Sequence, residues 1–429
     1  MKAATLLNRG RRALTFDLAR EGDRVGFVRT VSETFGTRIF GIIVGVLTLT
    51  LTTRLLGPVG RGQFAIVMAT VALIVQLSNA GLPASTTYSL ARRPADRLQV
   101  TGLLFWFGVT VVAAVAWGGY WLARHVPTLI ESVPPASLGL GLLAAPPLMF
   151  VSLAGNAFLG LGRARWFNGL DLGVKTVGLV AVVLLVWYRL EVLLLVYAGL
   201  HYVLAAIAYL KLSGWRRPVF PDKALAKRLF SYGVRAYLVT LFMFFVLRLD
   251  LFLVNSMRGT ADAGRYSVAV QVAEILNLAA ASIGTIAFPH LTAQDPTKRW
   301  AIALRLARMT AAVLCIGAIL VGLLARPVFL RLFGLEFLGA VHALWWLLPG
   351  LCCLGINNVL FQYLSAGGLP WFLAISTAAS AVLNLALNAL LIPRSGISGA
   401  AIASSIAYAF LLLITSTYLM TPSGRRYQS

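Results

Sequence analysis

Acidic side chains are the scarcest class in this 429-residue chain: 14 Asp and Glu stand against 37 Lys and Arg, and charged residues of either sign make up only 12%. A soluble domain of this size needs about a quarter of its residues charged to cover its surface, so that class is excluded. The formal net charge of +23 reflects the missing acids and does not imply a nucleic-acid partner; such cations suit anionic lipid headgroups. Only three cysteines occur, Cys315, Cys352 and Cys353, all inside apolar stretches and without metal-ligand spacing, which excludes a disulfide framework or zinc cluster. His125, His201, His290 and His342 are scattered, with no second ligand at metal spacing. No G-x-x-x-x-G-K-S/T segment and no G-x-S-x-G elbow is present, so neither P-loop hydrolysis nor that type of nucleophilic catalysis is supported. No cofactor and no metal are expected. Residues 1–35 are basic, carry Asp17, Glu21 and Asp23, and contain no apolar h-region; they read as an interfacial or cytoplasmic helix with Val25, Phe27, Val28 and Val31 as its apolar side, not as a cleaved signal peptide.

What the chain has instead is apolar length. Hydrophobic residues account for 59% and the mean hydropathy is +0.83. About twelve stretches are predicted to cross a membrane: 36–56, 64–91, 98–123, 136–161, 168–187, 192–213, 233–256, 265–290, 300–325, 341–366, 370–392 and 398–420. Each has roughly the 20 residues needed to cross a hydrocarbon core ~30 Å thick. Of the 37 Lys and Arg, 25 flank the side shared by the two termini and nine flank the other, with Arg38, Lys175 and Arg248 inside spans. Positive flanks remain in the cytoplasm, so both termini are expected there.

A repeat is legible within this pattern. Trp166-Phe167 recurs as Trp371-Phe372, Pro147 as Pro349, and Gly62-Gln63-Phe64-Ala65 as Gly264-Arg265-Tyr266-Ser267, at offsets of 205, 202 and 202. Six crossings per copy bring both copies in from the same side, giving parallel halves related by a pseudo-two-fold axis along the membrane normal. The expected fold is an all-α polytopic membrane protein, with two pseudo-symmetric six-helix bundles around a central cleft. The expected segments are a basic cytoplasmic or interfacial stretch (1–35), a first bundle (36–213), a cytoplasmic linker (214–232), a second bundle (233–420) and a cytoplasmic tail (421–429).

Three stretches resemble one family. Thr53-Arg54-Leu55-Leu56-Gly57-Pro58 with Gly60-Arg61-Gly62-Gln63-Phe64 is similar to an "LLGP-x-G-x-G-x-f" segment. Arg248-Leu249-Asp250, then Ala263-Gly264-Arg265-Tyr266-Ser267-Val268-Ala269, resembles a seventh-helix "R-x-D" and the "GxYsxA" that opens the eighth. Asn384, Asn388, Leu391-Ile392-Pro393 and Gly396-Ile397-Ser398-Gly399-Ala400-Ala401 resemble "N-x-x-x-N-x-x-LIP-x-x-GI-x-GAA". These are features of the polysaccharide exporter and lipid-linked oligosaccharide flippase family of the multidrug/oligosaccharidyl-lipid/polysaccharide (MOP) exporter superfamily. The resemblance implies a V-shaped twelve-helix carrier in a bacterial plasma membrane that moves a polyprenyl-diphosphate-linked glycan outward, with membrane lipids, glycosyltransferases and a glycan polymerase as partners. Arg38-Ile39-Phe40-Gly41 resembles the opening "SR-x-x-G" of the related lipid II flippase, but Val44 stands where that pattern has a second arginine. Lipid II is therefore not the expected substrate. A multidrug exporter of the same superfamily and a membrane glycosyltransferase or polysaccharide ligase are the alternatives.

Ionisable groups within hydrocarbon require a partner or a function. Arg248 and Glu274 lie at nearly equal depth in the antiparallel seventh and eighth spans; they form either a bracing ion pair or a substrate-facing cation with a coupling carboxylate. Asp250, two residues from Arg248, faces elsewhere and is expected to clamp the following loop near Arg265. Asp171 and Lys175 have the acid-first i, i+4 spacing that favours an ion pair, and Lys175 is a candidate headgroup ligand. Arg38 and Arg54 are expected to snorkel at the two ends of the first span, with Arg38 a further candidate for the cleft by resemblance to related flippases. Asn357, Asn358, Gln362, Gln76 and Asn79 are expected to hydrogen-bond between helices. Prolines inside spans, Pro83, Pro146, Pro147, Pro289 and Pro349, are expected to permit kinks.

Overall fold

The computed structural model describes residues 2–125, 133–185, 189–220, 222–293, 296–366, 368 and 370–421, and their side chains except at 2–32, 34–35, 185, 232, 278–293 and 296–298. Every regular element among these residues is helical. The helices are α1 (Lys2–Ser78), α2 (Leu82–Arg92), α3 (Arg97–Phe107), α4 (Ala113–His125), α5 (Pro135–Leu142), α6 (Ala145–Gly160), α7 (Ala164–Leu185), α8 (Leu190–Ser213), α9 (Lys223–Arg258), α10 (Thr260–Ala293), α11 (Pro296–Val328), α12 (Ala340–Ala366) and α13 (Trp371–Met420). The expected apolar side of the first segment, Val25 to Val31, and Pro289 lie outside the described side chains.

Among the described residues, nine helical stretches are long and apolar enough to cross a membrane. Two of them are too long for one crossing: Gly36–Ser78 has 43 residues and Trp371–Met420 has 50, or roughly 65 and 75 Å at 1.5 Å per residue. Each is broken by one glycine, Gly57 (φ 63°) and Gly396 (φ 58°). Those positive φ values suit glycine, which has no Cβ to collide with its own backbone. Both breaks lie on the face away from the termini and divide their helices into two passes. With the 34-residue α10 the described residues make twelve passes. No separate loop joins the first two: helical geometry resumes at Pro58, directly after Gly57, where a missing N–H costs nothing. The second pass therefore begins near residue 58, earlier than the expected 64, and continues through a short break at residues 79–81 into α2.

The passes form two lobes. In the first, α1 packs on α7, α2 on α6, and α8 on α5, α6 and α7; in the second, α12 packs on α10, α11 and α13, and α13 also packs on α9. The seam between lobes is made by α1 and α2 against α9 and α10. On the face away from the termini the seam closes on two glycines. A Cβ on Gly62 would overlap the carbonyl of Thr260, and a Cβ on Gly264 would overlap the carbonyl of Pro58. Pro58 and Thr260 are separated by the same 202 positions as Gly62 and Gly264, so the contact is reciprocal, as a two-fold axis requires. On the termini face, Gly81 and Gly233 approach backbone to backbone. There the Tyr237 hydroxyl donates to the Leu77 carbonyl at 3.0 Å, the Gln76 amide to Thr240 Oγ1 at 3.1 Å, and Arg228 meets Asp96 at 2.7 Å.

Candidate functional site

Between those two closures lies a cavity of 530 Å³, within the size range of ligand pockets. Passes one, two, five and six of the first lobe and passes seven and eight of the second line it. Its polar lining is concentrated in Thr48, Arg61, Lys175, Arg248, Asp250, Gln271 and Glu274. Three of the charged groups expected from the sequence to matter for substrate or coupling, Lys175, Arg248 and Glu274, thus share one chamber with Asp250.

Arg248 meets both carboxylate oxygens of Glu274 through Nη2, at 3.0 and 3.2 Å. Depth counting along two regular antiparallel helices placed them level, and the structure joins them. It also places both on the cavity wall, with about a third of each side chain exposed. Pairing and facing the cleft are therefore not alternatives here.

Lys175 Nζ lies 2.8 Å from Asp171 Oδ2. The lysine lines the central cavity, while Asp171 lines a second cavity of 620 Å³ inside the first lobe, whose wall is shared at Met68, Ala72, Val174 and Tyr197. Gly41 makes room for the lysine: a Cβ there would meet its side chain at 3.0–3.6 Å. Arg38, one turn before Gly41, is half-buried and is not among the residues lining the central cavity.

Asp250 is 2% exposed and well supplied with donors. Its Oδ2 accepts from the Tyr266 hydroxyl at 2.5 Å and from Ser404 Oγ at 3.1 Å, and its Oδ1 from the Leu251 N–H at 2.8 Å. The chain of bonds continues into the second lobe: Asn384 Nδ2 donates to Ser404 Oγ at 3.4 Å and Asn388 Nδ2 to Asn384 Oδ1 at 2.7 Å. Asp250 thus reaches the neighbour of Arg265 and not Arg265 itself, which instead bonds Asp262 at 2.9 Å and the Glu336 carbonyl at 3.0 Å.

Two arginines depart from their expected places. Arg54 does not snorkel. It crosses the seam and donates to the carbonyls of Leu332 at 2.9 Å and Arg331 at 2.5 Å, because the π-helical turn Phe329–Phe333 ends at Gly334 and leaves carbonyls to be satisfied. Arg61, which the expected spans 36–56 and 64–91 leave between the first two crossings, is 2% exposed and lines the central cavity. Its Nη1 donates to Thr52 Oγ1 at 3.2 Å and its guanidinium lies 5.6 Å from the centre of the Phe64 ring. Its Nε and Nη2 have no hydrogen-bond partner among the described residues. The signal that could have found it is its neighbour Gly62, which opens the repeated segment and recurs as Gly264: a glycine kept at the repeat offset marks close packing, not a free loop.

The amides divide. Gln76 bonds across the seam as noted, whereas Asn357 is buried with neither amide atom bonded among the described residues.

Comparison with known proteins agrees with this architecture. A multidrug resistance MATE family transporter of the MOP superfamily, in an inward-facing conformation, superposes with a TM-score of 0.70 over 88% of this chain and 93% of its own, at 14% identity. The lipid II flippase MurJ, in an inward closed conformation, gives 0.70 over 92% and 89%, at 12% identity. At such identities the likeness concerns the fold. In sequence, the probable low-salt glycan biosynthesis flippase Agl15 of Haloferax volcanii is 25% identical over 217 residues, covering 50% of this chain and 45% of that protein; the match spans about half the length of this relative. The profile described as "Polysaccharide biosynthesis protein" matches residues 27–293, more than half of the chain and every residue lining the central cavity. This multi-pass membrane protein therefore belongs to the polysaccharide biosynthesis protein family.

Proposed function

We propose that the chain is a secondary carrier that flips a polyprenyl-diphosphate-linked glycan precursor from the inner to the outer leaflet of a bacterial plasma membrane by alternating access. The observation that carries this reading is the central cavity: a chamber at the seam of two like lobes, with Arg61, Lys175 and Arg248 in its lining and lobe contacts at both of its ends. A phosphorylated headgroup requires cations where water is scarce, because a buried unpaired anion is prohibitively costly. The lipid tail has no need of the cavity and remains in the bilayer beside the helices. The excess of Lys and Arg on the flanks shared by the termini supports a cytoplasmic position for that face, where it would gather the diphosphate and where glycosyltransferases would supply the glycan; a polymerase would take it over on the other side. The glycan flippase named among the sequence relatives supports the same substrate class.

The multidrug alternative would need an uncompensated carboxylate to receive a cationic drug. Both carboxylates in the lining are engaged, Glu274 by Arg248 and Asp250 by three donors.

The test is Arg248→Ala. Glycan export is expected to stop while the protein stays in the membrane at normal abundance; export at the parental rate would return Arg248 to a bracing role and remove the cavity from the transport path.

A further inference from the structure

Among the described residues, Arg61 is the lining cation for which the structure gives no counter-charge. Lys175 has Asp171 at 2.8 Å and Arg248 has Glu274 at 3.0 Å, whereas Arg61 has one neutral oxygen, Thr52 Oγ1, at 3.2 Å. A guanidinium 2% exposed with two nitrogens unbonded is a costly arrangement for a resting protein. A ligand that brings acceptor oxygens to those nitrogens would complete it.

The nitrogens left over are informative. Nε–H and one Nη2–H point the same way from the guanidinium plane's long edge and form the parallel fork that grips two oxygens of one phosphoryl or carboxylate group. The third nitrogen, Nη1, is the one tied down. Thr52 does that tying with its acceptor side, because its own hydroxyl hydrogen is directed back to the carbonyls of Thr48 at 2.8 Å and Leu49 at 3.0 Å. Phe64 supplies a ring face beneath the cation. The first pass thus holds one end of the guanidinium, the second pass supports its face, and the bidentate edge remains unused.

We propose that the Nε/Nη2 edge of Arg61 is the docking point for a phosphoryl group of the substrate's diphosphate, oriented by Thr52. This rests on reading the chain as a lipid-diphosphate carrier. A phosphoryl group fits better than a sugar carboxylate because the lining of the same cavity also carries Arg248 and Lys175, further cations for a group with more than one negative charge. Arg61 is a binding residue; Thr52 is a positioning residue.

The test uses the purified full chain in lipid nanodiscs, titrated with farnesyl diphosphate, farnesyl monophosphate and farnesol, with inorganic pyrophosphate and glucuronate as competitors. The parent chain should prefer the diphosphate to the alcohol, and pyrophosphate should compete while glucuronate does not. Arg61→Lys keeps the charge and loses the fork; it should weaken diphosphate binding about ten-fold or more, and Arg61→Met should erase the preference over farnesol. Thr52→Val should weaken it several-fold with every charge intact. A second readout separates binding from bracing: without ligand, Arg61→Met should melt no lower than the parent, because it removes a buried charge with two of its three nitrogens unbonded, whereas a structural arginine would leave a less stable protein.

Parental affinity in Arg61→Met or Arg61→Lys, with the parent still preferring diphosphate, would overturn the Arg61 site and leave the proposed function standing. A parent that cannot tell diphosphate from farnesol would sink the proposed function, and this site with it. Displacement by glucuronate but not by pyrophosphate would reassign the fork to a sugar acid and overturn the phosphoryl assignment. Loss of pyrophosphate competition and of farnesyl diphosphate preference together in Arg61→Lys would uphold it, whichever of the two probes binds the parent more tightly.

Discussion

At the residue scale, two ionisable groups one position apart from being neighbours have opposite situations. Arg248 and Asp250 sit two residues apart on α9, about 200° around a helix; both border the cavity, but Arg248 pairs with Glu274 on its wall while the Asp250 carboxylate is bonded into the second lobe. Asp250, with three donors and almost no exposure, is part of the lobe's internal bonding. Asp250→Asn replaces an acceptor with an amide that must point an N–H at one of those donors; a loss of about 1–3 kcal/mol of stability is expected, read as a lower melting temperature. Glu274→Gln acts on a pair about a third exposed on each side, so its stability cost should stay within about 1 kcal/mol, while its effect on export should be large. If both substitutions destabilise equally, the division between cavity and core is wrong. The Arg248–Glu274 and Asp171–Lys175 contacts were legible in the sequence because helical rise and periodicity alone set depth and facing. Arg61 was not, because a count of apolar residues cannot distinguish a loop from a kinked helix that continues through Gly57 and Pro58.

At the element scale, the lobes touch through backbone where side chains would hold them apart. The reciprocal approach of Gly62 and Gly264 to the carbonyls of Thr260 and Pro58 requires their hydrogen side chains, and no rotamer of a larger residue relieves an overlap with backbone. Gly62→Leu should therefore wedge the seam open on the face away from the termini. A cysteine placed at Thr48, on the cavity wall, should then react with a membrane-impermeant thiol reagent added on that face, while the parent bearing only the Thr48 change reacts slowly. Equal labelling in the two backgrounds would show that this glycine contact does not close the cavity. The repeat was readable at these positions because Gly62 and Gly264 fall in one of the matched segments. The latch from Arg54 to the 331–332 carbonyls was not, because it depends on an irregular turn that leaves acceptors exposed and that no residue pattern announces.

At the scale of the whole molecule, twelve passes in two like-oriented lobes followed from span length and a repeat offset, and the fold is that of MOP-superfamily transporters. The exact number of helices was less accessible: two glycine breaks let four passes run as two continuous helices, which spacing of apolar residues does not reveal. The central claim is that the cavity opens to one face at a time and carries a lipid-linked glycan as it does so. The direct measurement is flipping of a fluorescent polyprenyl-diphosphate-linked disaccharide in proteoliposomes by a chain carrying Gln76→Cys and Thr240→Cys, which replace a hydrogen-bonded pair 3.1 Å apart across the termini-face seam. Flipping should proceed in the reduced protein, stop when a short bifunctional thiol-alkylating reagent joins the two cysteines, and resume when a version of that link containing a disulfide is reduced. Flipping that continues undiminished through the cross-link, or a parent chain that never moves the lipid, would contradict the account.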